Sequence, residues 1–273
     1  MDGLARSGIA AVLIESEALN QDQLFPDLPK ALIEGVQFLQ RQPYVRTDRV
    51  GLFGFSVGGS LALTAAADPA IAEQLRLVEA FGSYATLDDA ILSIATRTLD
   101  DRGVVRPWQP LADARQHLAS ALIGGISDSG EAAALRARLV DGTGAEPDPE
   151  ELSDEGRAIE RLMTSGDRAS AAALLDELPA RFKQDAQSLS PLVSIGRIRA
   201  RLFIMYDAND PLLPYTGSRD LCTAASNAGL RSYCSRFAIF QHVDPTRGGN
   251  LLAVGHDLVE LSMHAFAVLR TLQ

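Results

Sequence analysis

Three residue types at three places along the chain could together carry out nucleophilic acyl chemistry. Ser56 stands between two glycines in Gly54-Phe55-Ser56-Val57-Gly58. A short apolar run precedes it (residues 50–53, VGLF), and an Ala- and Leu-rich run follows (residues 60–67). The first reads as a buried strand and the second as a helix, so the turn between them must be tight. In G-x-S-x-G the serine holds a strained backbone at the tip of the turn, and its neighbours two positions away lack side chains so that the chain can pass. The hydroxyl is then exposed above a sheet, and the Val57 N–H at the helix start is free to stabilise an oxyanion. A glycine-rich turn without chemistry is the plainer reading of five residues alone. The strand before it and the helix after it favour the nucleophile.

A serine hydroxyl needs a base, and the base needs an orienting carboxylate. In parallel sheets such groups sit on loops beyond the C-terminal ends of strands. After the apolar run at residues 202–206 (LFIMY) come Asp207 and Asp210, where an ordinary polar turn is the competing reading. Two residues beyond the run at 231–240 (RSYCSRFAIF) stands His242. His256 competes for the role of base. It lies 46 residues after Asp210 rather than 32, which requires a longer loop, and at a helix start the dipole opposes an imidazolium. His242 is therefore the expected base and His256 the alternative. His264 reads as a packing or surface residue, and His117 has no evident partner.

The elements that must position these groups alternate. Residues 8–14 (GIAAVLI) read as a strand and 28–40 as a helix with Leu28, Leu32, Val36 and Leu39 on one face. Strands follow at 50–53 and 75–81, with the helix after Ser56 between them. The alternation then stops. From about 83 to 199 no convincing strand appears, only helical stretches at 88–98, 110–122, 131–139, 154–163 and 167–178, with a polar loop at 141–151. It resumes with the strand at 202–206, a helix at 218–228, the strand at 231–240 and an amphipathic helix at 257–272. The pattern predicts an α/β fold: a mostly parallel, doubly wound sheet. Residues 1–82 and 200–273 would form its core, and 83–199 a helical insertion.

Composition limits the partners. The chain has 273 residues, 47% of them hydrophobic, and a net charge of −10. Nucleic acid and anionic membrane both select basic surfaces, so neither is expected. No uninterrupted run of 18 apolar residues suggests a membrane span, and the first residues lack signal-peptide character, so a cytoplasmic location is expected. Cys222 and Cys234 have no metal-like spacing and read as small buried hydrophobes rather than a disulfide. The histidines form no zinc pattern, and no metal or organic cofactor is expected.

The order Ser56, Asp210, His242 is that of α/β-hydrolase triads. The sequence resembles that superfamily, and within it the dienelactone-hydrolase and prolyl-oligopeptidase-like esterases. "RVGLFGFSVGGSLAL" is similar to their nucleophile turn, with a third glycine at Gly59. "LSPLVSIGRIRARLFIMYDANDPLLP" is similar to the stretch leading to their acid, and places it at Asp210, four residues before Pro214. "FAIFQHV" is similar to their last strand and base. The resemblance makes the helical block a lid. It also implies that the front strands and oxyanion loop of the family lie outside this sequence. An open sheet edge, with self-association or poor solubility, is then expected.

The combined expectation is a serine hydrolase cleaving a small ester-like substrate, a carboxylic ester or thioester, through an acyl-enzyme. Ser56 attacks, His242 moves the proton, Asp210 orients the ring and Val57 N–H meets the oxyanion. A non-catalytic binding protein on the same scaffold, and an acyltransferase or peptidase using the same triad, are the other readings.

Overall fold

The structure is a computed structural model that describes residues 2–242 and 251–272. Two short helices, α1 (Asp2–Arg6) and α2 (Glu17–Asn20), precede α3 (Leu28–Gln40). Then come β1 (Val50–Phe55), α4 (Val57–Ala66) and β2 (Leu75–Phe81). The block that follows holds α5 (Leu87–Thr96), β3 (Thr98–Asp101), β4 (Val104–Pro107), α6 (Ala112–Ile123), α7 (Ser129–Leu139), α8 (Asp154–Thr164), α9 (Arg168–Glu177), α10 (Ala180–Ser188) and α11 (Pro191–Ser194). The chain closes with β5 (Arg201–Asp207), α12 (Tyr215–Asn227), β6 (Ser232–Phe237) and α13 (Leu251–Leu272).

β1, β2, β5 and β6 form one parallel sheet in the order β1-β2-β5-β6. Successive side chains on a strand face opposite ways, so each face has its own core. Val50 and Leu52, Val78 and Ala80, and Leu202 and Ile204 meet α3, α4 and α12 on one face. On the other face Phe81, Met205 and Phe237 pack with Phe240 and with Val254 and Leu261 of α13. That cover stops short of β1, whose Phe53 and Phe55 are 57% and 50% exposed. The insertion buries a third, separate core, from Leu87 and Ile91 of α5 through Ile159 and Leu162 of α8 to Leu174 of α9.

Three expectations fail for identifiable reasons. Residues 8–14 form no strand, although they are apolar; no other strand lies beside them to complete a ladder, and Leu13 is exposed. The insertion does contain strands. β3 and β4 make an antiparallel hairpin whose two-residue turn, Arg102 and Gly103, has φ of 58° and 84°. Positive φ at both positions is the twist that a tight hairpin requires. Cys222 and Cys234 are disulfide-bonded, tying α12 to β6. Residues 252–272 contain an 18-residue window of mean hydropathy 1.3, so by length and composition alone this helix is long and apolar enough to cross a membrane, although polar residues interrupt the run.

α13 is unusual in its orientation. Asp257, His264 and Thr271, seven residues apart, face the sheet and are buried, while Leu258, Val259, Met263, Phe266 and Leu269 are exposed. The buried polar groups are all partnered. Asp257 Oδ2 accepts from Ala238 N–H (2.7 Å), and Thr271 Oγ1 accepts from Arg201 Nη1 (3.2 Å). His264 Nε2 donates to Glu79, 3.0 Å from both carboxylate oxygens, and Nδ1 lies 2.8 Å from Ser235 Oγ. Ser235 donates its only hydrogen to Glu260 Oε1 (2.7 Å). Burial pushes the Glu79 carboxyl above its usual range, and the His264 contact opposes this.

Two outcomes follow. His264→Leu leaves Glu79 buried without its partner and should cost roughly 3–5 kcal/mol in urea unfolding, as when one member of a buried pair is removed. Replacing both cysteines by serine should lower stability by roughly 3 kcal/mol, the loop-closure effect of a link this short. The native chain should show the same loss on reduction, and the double variant should not respond to reductant.

Candidate active site

The serine turn is built as its glycines require. Ser56 joins β1 to α4 with φ of 54° and ψ of −130°, a conformation that costs on the order of 1–3 kcal/mol in a non-glycine residue. Its N–H donates to Phe81 O (2.7 Å), which fixes the turn to the end of β2. A side chain on Gly54 would collide with the Gly58 carbonyl and come within 2.7 Å of Gly59 Cα, and one on Gly59 would strike Ser83 Oγ. Gly58, by contrast, has open space around its Cβ position. The close approach is therefore made by Gly54 and Gly59, and not by the second glycine of the five-residue pattern. Val57 N–H starts α4 and has no acceptor among the described residues.

The structure brings His242 and Asp210 together. His242 Nδ1 lies 2.7 Å from Asp210 Oδ2, with the residues 5% and 3% exposed. The other carboxylate oxygen, Oδ1, accepts from Leu212 N–H (2.8 Å) and Leu213 N–H (3.0 Å). The acid is thus held at both oxygens and the ring is oriented through Nδ1, which leaves Nε2 as the acceptor. Gln241 and His242 both have positive φ, 40° and 88°, so the base also sits on a strained loop.

Asp207 has a different task. It is buried, accepting from Asn209 N–H through Oδ1 (2.6 Å) and from Phe240 N–H through Oδ2 (2.7 Å). One carboxylate thereby ties the loop after β5 to the loop after β6. The insertion holds the same loop from its other side: Trp108 Nε1 donates to Asp210 O (3.0 Å) and Leu111 N–H to Pro211 O (2.8 Å).

The Ser56 turn and the His242 loop each abut the end of β2, the first through Phe81 and the second through Gly82. Gly82 follows Phe81, has φ of 64°, and a Cβ there would lie 3.2 Å from His242 Cε1 and Nδ1 and 3.4 Å from Asp210 Oδ2. Ser56 Oγ itself makes no hydrogen bond among the described residues. The remaining histidines lie elsewhere. His256 is on α13 with its side chain 72% exposed, 3.1 Å from Asp257 Oδ1. His117 Nδ1 is 2.6 Å from Asp22 Oδ1 on an exposed surface, a partner that sequence reading does not supply. Among the described residues no group of three or more His, Cys, Asp or Glu side chains could hold a metal ion.

Sequence reading missed Gly82 and the role of Asp207. The first has a weak signal, a glycine immediately after a buried strand. The second has none, because its acceptors become visible only once two distant loops meet.

The chain has an α/β fold of the α/β-hydrolase type: a parallel sheet with helices on both faces, a strained serine turn between strand and helix, and a helical block inserted between the strands. Residues 32–90, which contain that turn, match the domain described as BAAT / Acyl-CoA thioester hydrolase C terminal. The chain is also 35% identical over 86 residues to a probable 2-oxo-3-(5-oxofuran-2-ylidene)propanoate lactonase of Bradyrhizobium sp. That match covers 25% of this chain and 34% of the relative. Solved structures overlap at lower identity. A puromycin-hydrolyzing peptidase of Mycobacterium tuberculosis superposes over 89% of this chain and 26% of its own, with 14% identity and a TM-score of 0.49. A 2,6-dihydroxy-pseudo-oxynicotine hydrolase does so over 89% and 48%, with 13% identity and a TM-score of 0.44. The chain therefore spans only part of the proteins it matches, and overlap at this level says nothing about substrate.

Gly82 gives a test of the site's geometry. Gly82→Ala places a methyl group against the His242 ring in a backbone conformation that L side chains rarely adopt. It should lower any serine-dependent turnover at least tenfold through a misplaced ring, while the melting temperature falls by only a few degrees.

Proposed function

We propose that the chain is a serine hydrolase acting on carboxylic esters or thioesters, with Ser56 as nucleophile, His242 as general base and Asp210 as its orienting carboxylate. The observation that carries this reading is the buried His242–Asp210 hydrogen bond, which lies with the strained Ser56 turn at the C-terminal edge of one parallel sheet, after β5, β6 and β1. His242 Nε2 takes the Ser56 proton as Oγ attacks the carbonyl carbon. Asp210 holds Nδ1–H and stabilises the imidazolium. Val57 N–H donates to the oxyanion. Collapse of the tetrahedral intermediate breaks the acyl bond, and the imidazolium returns the proton to the departing alcohol or thiol. Water then repeats the sequence on the acyl-enzyme. No step calls on a metal or organic cofactor.

The match to a thioester hydrolase domain and the likeness to a probable lactonase both favour acyl C–S or C–O cleavage over peptide cleavage. The hydrogen bonds from Trp108 and Leu111 to the acid loop support reading the helical insertion as a lid over the substrate.

A second reading has one observation in its favour. Ser56 Oγ is not hydrogen-bonded to His242, as a non-catalytic binding protein on this scaffold would allow. Apo sites often tighten only around substrate, so this geometry does not decide between the two. A fluorophosphonate probe does. It should label the native chain, and Ser56→Ala should abolish labelling and p-nitrophenyl ester hydrolysis with the fold unchanged by circular dichroism. Asp210→Asn should retain the fold and reduce turnover by orders of magnitude, toward the roughly 10⁴-fold loss typical of a neutralised triad acid. A Ser56→Ala variant that still hydrolyses ester would remove Ser56 from the mechanism. A native chain that neither labels nor turns over ester would favour the binding protein.

A further inference from the structure

At the opposite end of the sheet four arginines surround a cleft of about 430 Å³. Arg76 comes from the start of β2, Arg201 from the start of β5, Arg231 from just before β6 and Arg270 from the last turn of α13. Phe266 and Thr271 complete the lining used here. The chain carries 35 acidic residues against 25 Lys and Arg, yet among the described residues no carboxylate pairs with any of these four.

Part of the cluster has a local task. Arg76 Nε donates to Thr271 O (3.0 Å) and Arg201 Nη1 to Thr271 Oγ1 (3.2 Å), so both meet the negative end of α13. Arg201 also lies over the Phe203 ring, 4.9 Å from its centroid. The end of a helix carries only about half a negative charge, against four guanidinium charges. The bonds to Thr271 use one donor from each of two arginines and leave most of the fork free. The side chains of Arg231 and Arg270 make no hydrogen bond among the described residues. The result is a fixed pair of guanidinium groups, an adaptable pair, and a large excess of positive charge in one concavity.

We infer that this cleft binds a phosphoryl group. Guanidinium matches phosphate oxygens two at a time, and several converging forks favour a multiply charged, tetrahedral anion over a single carboxylate. Phe266, which is 65% exposed, adds an apolar wall for whatever the phosphate is attached to. Strands of about seven residues separate the cleft from the serine turn by roughly 20 Å, so this is a second site and not part of the ester-binding pocket. The phosphate could belong to a free phosphorylated metabolite or to an anionic lipid headgroup, since the exposed apolar residues of α13 adjoin the cleft.

Inorganic pyrophosphate titrated calorimetrically into the full chain at low ionic strength should bind, and more weakly as salt is added. Phosphatidylcholine vesicles with about a third phosphatidylglycerol test the headgroup source. Binding of pyrophosphate without vesicle binding assigns the cleft to a free ligand, and vesicle binding alone assigns it to a headgroup; either supports the site. Arg231→Gln/Arg270→Gln removes the two arginines without structural bonds. It should weaken whichever interaction is seen by roughly tenfold or more, and leave the melting temperature and ester turnover unchanged. Arg231→Gln alone provides a milder check if the double variant is unstable. Absence of both interactions, or binding that the variants do not alter, overturns the proposal.

Discussion

The conformation of Ser56 constrains much of the molecule. A non-glycine residue at φ 54° and ψ −130° persists only where its surroundings hold it. Here the hold comes from three directions. Its N–H is bonded to Phe81 O, the backbones of Gly54 and Gly59 touch where side chains would collide, and Ser60 Oγ bridges Tyr84 N and O on the segment leaving β2. The turn thereby fixes β1, α4 and the exit of β2 as one unit. Tyr84 carries the link further, donating its hydroxyl to Leu189 O at the end of the insertion. Burial pushes the Tyr84 phenol well above its ordinary range, so this donor keeps its proton.

The acid and base depend on the same principle, met by different means. Neither lies on a strand. Each is on a loop, and loops place side chains well only when something else fixes the backbone. Asp207 supplies that fixation by bonding Asn209 N and Phe240 N at once, so the two loops move as one. Asp210 is then free to use one oxygen on Leu212 and Leu213 and the other on His242. Two aspartates three residues apart divide the work, one holding the loops and one holding the imidazole. Strain at Ser56, Gln241 and His242 is concentrated around this site, and the positive φ at Gly82 lets the strand end pass beneath the ring without a clash.

Legibility of the sequence followed the range of the interaction. Buried parallel strands such as β2 and β5 announce themselves as apolar runs, and α3 shows its 3.6-residue stripe, because those signals are local. The run at residues 8–14 carried the same apolar signal and forms no strand, since a strand also needs a neighbour that composition does not reveal. The hairpin of β3 and β4 failed in the opposite sense. β3 is only four residues long and mostly polar with Leu99 alone buried, β4 is exposed throughout, and the turn is Arg-Gly rather than Asn-Gly. The Cys222–Cys234 link depends on α12 lying against β6, a tertiary contact. At the site, the serine turn, Asp210 and His242 were visible as residue types beside strands. Gly82 and the loop-tying role of Asp207 were not, because each acts through a residue more than 30 positions away in sequence.

α13 joins these themes. Its polar residues at 257, 264 and 271 face inward, where Ala238, Glu79 with Ser235, and Arg201 await them, beside Val254 and Leu261, while Leu258, Val259, Met263, Phe266 and Leu269 face out. A surface helix ordinarily does the reverse. The inward pattern is consistent on its own terms, since every one of those buried polar groups is satisfied and together they fix the helix in register against the sheet. The outward pattern adjoins the other uncovered apolar surface, Phe53 and Phe55 on the open edge strand. Both lie on the same side of the sheet, so a single apolar layer laid over β1 and α13 would bury them together. A sequence that spends its polar side chains on the inner face of a helix has given up the usual means of keeping the outer face soluble. The registry of α13 is therefore set by the hydrogen bonds beneath it rather than by burial of its outer apolar residues.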